Sequence, residues 1–306
     1  MNYNYKSRKC NLYVAPPSRR RSLLPALGFA LATLCPPVAA WGPDGHRIVC
    51  RIAYGELTPV TRRAVDRIIE GDARFGDFPE SCNWPDQVRK APRFAEERRR
   101  HYLNVAPGSS SVDPSRDCPG RCVLEGIRFH AERLGTDVGP GTRAEALAFL
   151  AHYVGDVHQP LHVAFRRDMG GNKVPTRYRG RSDACRSARC DDRRAYDLHW
   201  LWDSVLIGEG DESWKPRADR LRRAIDPQER RRWSAAPMED WADESYRIVV
   251  ERVYPSADDG EISREESEEL ILIVERRLQQ AGVRLAATLE RRLAAAGDRE
   301  PTTAAE

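Results

Sequence analysis

The segment Thr142–His162 reads "TRAEALAFLAHYVGDVHQPLH" and carries the strongest structural signal in the chain. Its apolar residues recur three and four positions apart, which is the period of an α-helix, and Pro160 ends the pattern. The same period recurs in "HRIVCRIAYGEL", "TPVTRRAVDRIIEG", "VLEGIRFHAERLG", "AYDLHWLWDSVLIG" and "EISREESEELILIVERRLQQAGVRLAATLERRLAA". Convincing alternating patterns of the kind that β-strands show are absent from the sequence. The sequence therefore predicts a mainly α-helical protein with a single multi-helix domain.

Metal-binding side chains recur at helical spacing. The segments "HYVGD" and "HWLWD" each put a histidine four residues before an aspartate, which places both side chains on one helix face. An imidazole and a carboxylate on one face form half of a zinc site, although a single such pair is more often a surface hydrogen bond. Two pairs, with a histidine in "HQPLH" and an aspartate in "NWPD", favour a metal site. These residues are His152, Asp156, His199, Asp203, His162 and Asp86.

The first 40 residues have the composition of an export signal. They hold six basic residues and no acidic ones, and the apolar run "LLPALGFALATL" is too short to span a bilayer. Val38 and Ala40 are small residues where a signal peptidase prefers them, so we expect cleavage before Trp41 and a secreted or periplasmic protein. The stretch "SRRRSLL" weakly resembles a twin-arginine signal, which leaves the export route open. A membrane anchor is the alternative to a cleaved signal.

The charge of the chain changes when the predicted signal is removed. The 306 residues include 50 basic and 46 acidic ones, and loss of residues 1–40 leaves 44 basic residues against 46 acidic ones. Bulk charge therefore does not predict a nucleic-acid partner, which must be argued from a site. The remaining length suits one domain or at most two. The final segment "GDREPTTAAE", residues 297–306, predicts a disordered tail.

Six cysteines remain after the predicted cleavage, an even number that suits disulfides in an oxidising compartment. They are Cys50, Cys82, Cys118, Cys122, Cys185 and Cys190. The segments "CPGRC" and "CRSARC" each hold two cysteines close enough for a local disulfide, which leaves the first two cysteines to pair by elimination. About fifteen pairings are formally possible. Zinc binding by thiolates is the alternative, but none of these pairs has the paired CxxC spacing of a structural zinc site.

A series of motifs connects these observations to a known family. In chain order, "WGPDGH", "WPDQVR", "HYLN", "AHYVGDVHQPLH", "GGN" and "LHWLWD" closely resemble the zinc-dependent single-strand nucleases and 3'-nucleotidases of fungi, plants and bacteria. The fold of that family is shared with bacterial zinc phospholipase C. The resemblance runs from Trp41 to Asp203. It implies a nuclease domain over residues 41–296 with a trinuclear zinc cluster.

The resemblance assigns nine ligands to three zinc ions. The first zinc would be bound by Asp86, His101, His152 and Asp156. The second would be bound by His162, His199 and Asp203. The third would be bound by His46, Asp156, and the α-amine and carbonyl oxygen of Trp41. Signal cleavage would then complete the metal site, because it frees that amine.

The same resemblance implies hydrolysis of single-stranded RNA and DNA to 5'-mononucleotides, and removal of 3'-phosphates from nucleotides. Paired zinc ions that share Asp156 would activate water, with Asp86 as a catalytic ligand of the first zinc and Arg89 on a phosphate oxygen in the transition state. Tyr102, Asn104 and Asn172 would lie near the nucleobase. The alternatives are a solvated helix position for Arg89, a core position for Tyr102 and a plain glycine turn around "GGN". We expect a monomer without stable membrane association.

Two other functions remain open from the sequence. A zinc phospholipase C is the nearest, because the ligand set alone does not distinguish a nucleotide from a phospholipid headgroup. A zinc-scavenging binding protein without catalysis is the more distant one. Of the other polar residues, His158 is expected to support a ligand, for example by orienting its carboxylate, or to have a structural role. His130 is expected to be an ordinary helix residue, and the run Arg98–Arg100 to form a solvated helix face.

Overall fold

A computed structural model describes residues 41–136, 139–180 and 196–297. The predicted signal peptide, Cys185, Cys190 and residues 298–306 lie outside the described residues, so the predictions for them stay predictions. The described chain is mainly helical, which confirms the predicted fold class. No helix in these ranges has the length and apolar composition needed to cross a bilayer.

The α-helices follow one another along the chain with short connections. Their bounds are α1 Pro43–Glu56, α2 Pro59–Glu70, α3 Phe78–Ser81, α4 Trp84–Val88, α5 Pro114–Asp117, α6 Val123–Gly135, α7 Pro140–His158, α8 Leu198–Trp200, α9 Trp214–Arg223, α10 Pro227–Ala235, α11 Met238–Ile248 and α12 Arg264–Gly297. Shorter 3₁₀ segments span Pro92–His101, Pro160–His162, Arg166–Asp168 and Pro255–Ala257, and π-helical turns span Leu201–Val205 and Val249–Val253. Proline stands in the first turn of α1, α2, α4 and α7, where its missing N–H costs no hydrogen bond.

Helix α7 lies at the centre of the molecule. Every residue of its second half, 146–158, is buried, as expected for a helix that is covered on all sides. It packs between α6 and α12 and also contacts α1, α2 and α11. Gly155 lets α1 approach closely, because a Cβ there would lie 2.8 Å from Nδ1 of His46. Helix α7, which gives the strongest helical pattern in the sequence, therefore supports the residues at its own C-terminal end.

Two small sheets were not predicted. Strands β1 Leu103–Val105 and β2 Val163–Phe165 pair in parallel, and β3 Pro175–Tyr178 lies between β4 Tyr196–Asp197 and β5 Glu261–Ile262. Strands of two to four residues are too short to show an alternating pattern in sequence. The β1–β2 register matters for the site because it brings the segments that end in His101 and His162 side by side.

Two of the predicted disulfides are confirmed. Cys50 is bonded to Cys82, and Cys118 is bonded to Cys122. The first bond joins α1 to the residue that follows α3, just ahead of α4 and Asp86.

Candidate metal centre

The predicted histidine and aspartate ligands converge on one place in the fold. They come from α1, α4, α7, the 3₁₀ segments before β1 and β2, and the helical turns after β4. Within each of three groups the potential ligand atoms lie within 4.8 Å of one another. The groups are His46, His152 and Asp156; Asp86, His101 and His152; and His162, His199 and Asp203. All eight side chains assigned from sequence are thus brought together.

Asp156 lies in the middle of these groups and is completely buried. Its Oδ2 is 3.1 Å from Nδ1 of His101, and its Oδ1 is 3.5 Å from Nε2 of His46. Within the described ranges, neither carboxylate oxygen receives a hydrogen bond. Burial, with the nearby Asp86 and Asp203 carboxylates, raises the pKa of Asp156 well above its usual range. Such a group is stable as an anion only beside a cation.

Three histidines have their tautomer set by backbone carbonyls. Nδ1 of His152 donates to the carbonyl of Cys82 at 2.8 Å, and Nδ1 of His162 donates to that of His101 at 2.6 Å. Nδ1 of His199 donates to the carbonyl of Gly170 at 2.6 Å. A carbonyl oxygen only accepts, so each Nδ1 carries the proton, and in the neutral ring each Nε2 presents a lone pair. For His199, burial opposes protonation, but the Asp203 carboxylate outweighs it and raises the pKa of the ring.

The Nε2 atoms lie close to other ring nitrogens and to carboxylates. Nε2 of His162 is 3.2 Å from Nε2 of His199, and Nε2 of His152 is 3.1 Å from Nδ1 of His101. Burial lowers the pKa of His101 and His162 well below the usual value and that of His152 to about 3, which favours the neutral form that binds metal. Neutral ring nitrogens that face one another in this way can share a bound cation. The nitrogen and oxygen donors fit zinc.

Trp41 lies against the centre. Its side chain is completely buried, and its Nε1 donates to the carbonyl of Gly155 at 2.8 Å. The next residue, Gly42, donates its N–H to the carbonyl of Asp203 at 2.6 Å. These contacts attach the beginning of the predicted mature chain to the helix turns that carry Asp156 and Asp203. Ligation by the Trp41 backbone stays a prediction.

Arg89 lies directly after α4 and close to the centre. Its Nη1 is 3.6 Å from Oδ1 of Asp86, and its side chain is only 20% exposed. Its charge also contributes to lowering the pKa of His101, after burial and His152. Arg98 holds this segment because its Nε donates to the Arg89 carbonyl at 2.8 Å. These contacts oppose the solvated position that the sequence left open.

In the arginine run Arg98–Arg100, the prediction made for Arg100 is wrong. Arg100 is buried and donates to Glu97 at 2.8 Å and to Glu125 at 2.8 Å, so the predicted solvated face is wrong for this residue. Glu97 also accepts from Tyr153 at 2.9 Å and lies 3.1 Å from Nε2 of His130. This buried network behind His101 was not recognised from sequence, because its members come from separate helices.

His158 has a structural role, which is one of the two roles expected from the sequence. Its Nδ1 donates to the carbonyl of Val154 at 2.7 Å, which leaves Nε2 to accept from Arg284 at 2.9 Å. The ring therefore joins α7 to α12, and it makes no hydrogen bond to a ligand carboxylate among the described residues.

The predicted substrate residues surround the centre at different depths. Tyr102, directly after His101, is 39% exposed, so the core alternative is wrong. Asn104 lies on β1 opposite Ala164 and is half-buried. Asn172 is also half-buried, and its Nδ2 donates to the carbonyl of Met169 at 2.7 Å within the "GGN" turn. Their contact with a nucleobase stays a prediction.

A helical scaffold that brings eight histidine and aspartate side chains into adjacent ligand groups defines a candidate polynuclear metal protein. The S1/P1 Nuclease family profile matches residues 41–294, and the chain belongs to this family. It is 30% identical over 282 residues to Endonuclease 2 of Arabidopsis thaliana, covering 84% of this chain and 91% of that protein. It is 26% identical over 171 residues to Nuclease P1 of Penicillium citrinum, covering 54% and 58%. Nuclease S1 of Aspergillus oryzae is 27% identical over 191 residues, covering 61% of each.

Proposed function

We propose that the protein is an exported, zinc-dependent phosphoesterase. It hydrolyses single-stranded RNA and DNA to 5'-mononucleotides and removes 3'-phosphates from nucleotides. Membership of the S1/P1 nuclease family supports the nuclease class. The observation that carries the zinc dependence is the convergence of histidine nitrogens and aspartate oxygens around the buried Asp156.

Three zinc ions are assigned to the ligand groups. The first is held by Asp86, His101, His152 and Asp156, the second by His162, His199 and Asp203, and the third by His46, Asp156 and the N-terminal Trp41. When bound, zinc supplies Lewis-acid chemistry that makes water a nucleophile at neutral pH and neutralises charge on phosphate oxygens.

The chain's own residues bind and orient the substrate. The Arg89 guanidinium, a fixed fork of N–H donors, binds a phosphate oxygen on which negative charge grows in the transition state. Tyr102 presents an exposed aromatic face on which a base of a single strand stacks. Asn104 and Asn172 are half-buried and offer amide groups to the base edge. A base paired in a duplex cannot reach such a face, which accounts for the proposed preference for single strands.

The proposed location is the cell exterior or the periplasm, reached through a signal in residues 1–40 that is removed before Trp41. The protein acts as a monomer on soluble substrates without stable membrane association.

An activity panel tests the proposal. The protein processed to Trp41 is assayed on single-stranded DNA, duplex DNA of the same sequence, RNA, 3'-AMP and a phosphatidylcholine emulsion, with and without a chelator. We expect turnover of single strands, RNA and 3'-AMP that exceeds turnover of duplex and phosphatidylcholine and that disappears with chelation. Preferential cleavage of phosphatidylcholine would instead assign the phospholipase C function.

A further inference from the structure

The turn after β2 has an unusual backbone. Met169, Gly170 and Gly171 are three consecutive residues with positive φ, at 58°, 62° and 85°. The left-handed region costs a residue with a side chain about 1 kcal/mol, so Met169 persists there only if other contacts hold the turn. A Cβ on Gly170 would clash with the Leu161 carbonyl, which shows how closely this turn is packed.

One carboxylate holds the turn from inside. Oδ1 of Asp168 accepts from the Gly171 N–H at 3.0 Å. The backbone carbonyl of Asp168 accepts from the Lys173 N–H at 3.0 Å. The hydroxyl of Tyr254 donates to this carboxylate, at 2.9 Å from each oxygen. The Tyr254 ring packs against Phe165, with 5.4 Å between ring centroids. The segment after the second π-helical turn is thereby tied to the turn after β2.

The same turn orients a proposed zinc ligand. The Gly170 carbonyl accepts the Nδ1–H of His199 at 2.6 Å. That bond fixes the ring so that its Nε2 lies 3.2 Å from Nε2 of His162 and 3.2 Å from Oδ2 of Asp203. A displacement of the Gly170 carbonyl would therefore rotate His199 or remove its hydrogen bond.

We propose that Asp168 and Tyr254 are positioning residues for the group formed by His162, His199 and Asp203. They hold the left-handed turn in the one arrangement that presents the Gly170 carbonyl to His199. The inference rests on the proposed function, because it takes this group to be a zinc site. Partners of this kind beyond the ligands commonly change metal affinity by about 10- to 100-fold when removed.

The test is zinc retention in Tyr254→Phe and Asp168→Asn. The chain offers a matched control in Tyr54→Phe, since the Tyr54 hydroxyl donates to both oxygens of Asp66, at 2.9 and 3.1 Å, between α1 and α2. Each protein is equilibrated with a graded chelator series, and its bound zinc is measured by elemental analysis. The melting temperature of each metal-free protein is measured in parallel.

We expect Tyr254→Phe and Asp168→Asn to release one of three zinc ions at about tenfold lower chelator strength than wild type. Tyr54→Phe should release zinc as wild type does, while the metal-free melting temperatures of the two tyrosine variants fall equally. If Tyr254→Phe and Asp168→Asn both retain zinc as wild type does, or if Tyr54→Phe loses as much zinc as they do, this inference is wrong. The proposed function is not affected by either result. A wild-type protein that binds no zinc overturns the proposed function as well.

Discussion

The whole centre depends on one residue, Asp156, through its carboxylate. It is completely buried, and histidine nitrogens from α1, the segment before β1 and α7 surround it at 3.1 to 3.5 Å. Burial raises the pKa of Asp156, and repulsion from the Asp86 and Asp203 carboxylates raises it further. Without a cation this arrangement would be unfavourable both for the anion and for the lone pairs around it. The geometry is therefore best explained by bound metal.

At the same scale, Arg89→Ala tests the proposed role in the transition state. Because the guanidinium is 3.6 Å from Asp86 but is not itself a metal ligand, we expect kcat on single-stranded DNA to fall about 100-fold with zinc content unchanged. Steady-state kinetics and elemental analysis measure the two quantities. Arg63→Ala, on the exposed side of α2, is the control and should behave as wild type. Near-normal turnover in Arg89→Ala would return this arginine to a structural role.

At the scale of the elements, two completely buried arginines of α12 join three helices. Arg284 donates to both oxygens of Glu244 at 2.7 Å, and Arg277 donates to the same carboxylate at 2.7 Å and to the His158 carbonyl at 3.1 Å. Glu244 belongs to α11 and His158 ends α7. The C-terminal helix thus anchors the end of α7 near Asp156.

This network predicts a specific loss of stability in acid. Burial opposes the charge of Glu244, but Arg284 and Arg277 outweigh it and lower the pKa of this carboxyl from 4.5 to about 2. A lowered folded-state pKa stabilises the fold above the unfolded value, by up to about 3 kcal/mol, and this contribution disappears as pH falls from 4.5 toward 2. In Glu244→Gln the free energy of unfolding should therefore be lower at pH 7 and depend less on pH across that window.

Denaturant unfolding of metal-free protein at several pH values measures this difference. Glu251→Gln, on the exposed part of the second π-helical turn, is the control and should keep the wild-type pH profile. If the free energy of unfolding changed with pH in the same way for Glu244→Gln and wild type, the network would not stabilise the native state.

Helical periodicity explains which parts of this arrangement could be predicted from sequence. The pairs His152/Asp156 and His199/Asp203 are local, so their spacing alone places each pair on one face. The carbonyls that fix the histidine tautomers belong to Cys82, His101 and Gly170, far away in the chain, and no local pattern indicates them. Short strands and the buried position of Arg100 depend on the same long-range packing. His46, His101 and Trp41 were assigned as ligands from family resemblance.

At the scale of the whole molecule, the candidate metal centre joins elements from α1, near the beginning of the described chain, to the π-helical turn that carries Asp203. Elemental analysis of the processed protein should give about three zinc atoms per chain, and chelation should abolish activity and lower the melting temperature, since binding stabilises only the folded state. Removal of metal leaves the Asp156 carboxylate buried without a hydrogen bond from the described residues. Full activity in metal-free protein would contradict the zinc assignment.

The proposed removal of the signal before Trp41 leads to a second prediction for the whole molecule. The proposed third zinc uses the α-amine of Trp41, and any residue retained before Trp41 converts that amine to an amide, which is a poor metal ligand. The side chain stays the same, with Nε1 on the Gly155 carbonyl, so the defect comes from the terminus alone. We expect a protein that begins with a retained methionine before Trp41 to lose about one zinc and most of its activity, because a paired-metal site loses one member.

The comparison uses the same chain with and without the added methionine, with each terminus verified by intact mass. Zinc content distinguishes a lost ligand from a lost fold, since the second group of His162, His199 and Asp203 should keep its metal. Melting of the metal-free proteins should coincide, because the buried Trp41 side chain is present in both. If the extended protein binds as much zinc and turns over as fast as the processed one, Trp41 is not a ligand. Signal removal would then have no part in assembling the metal centre.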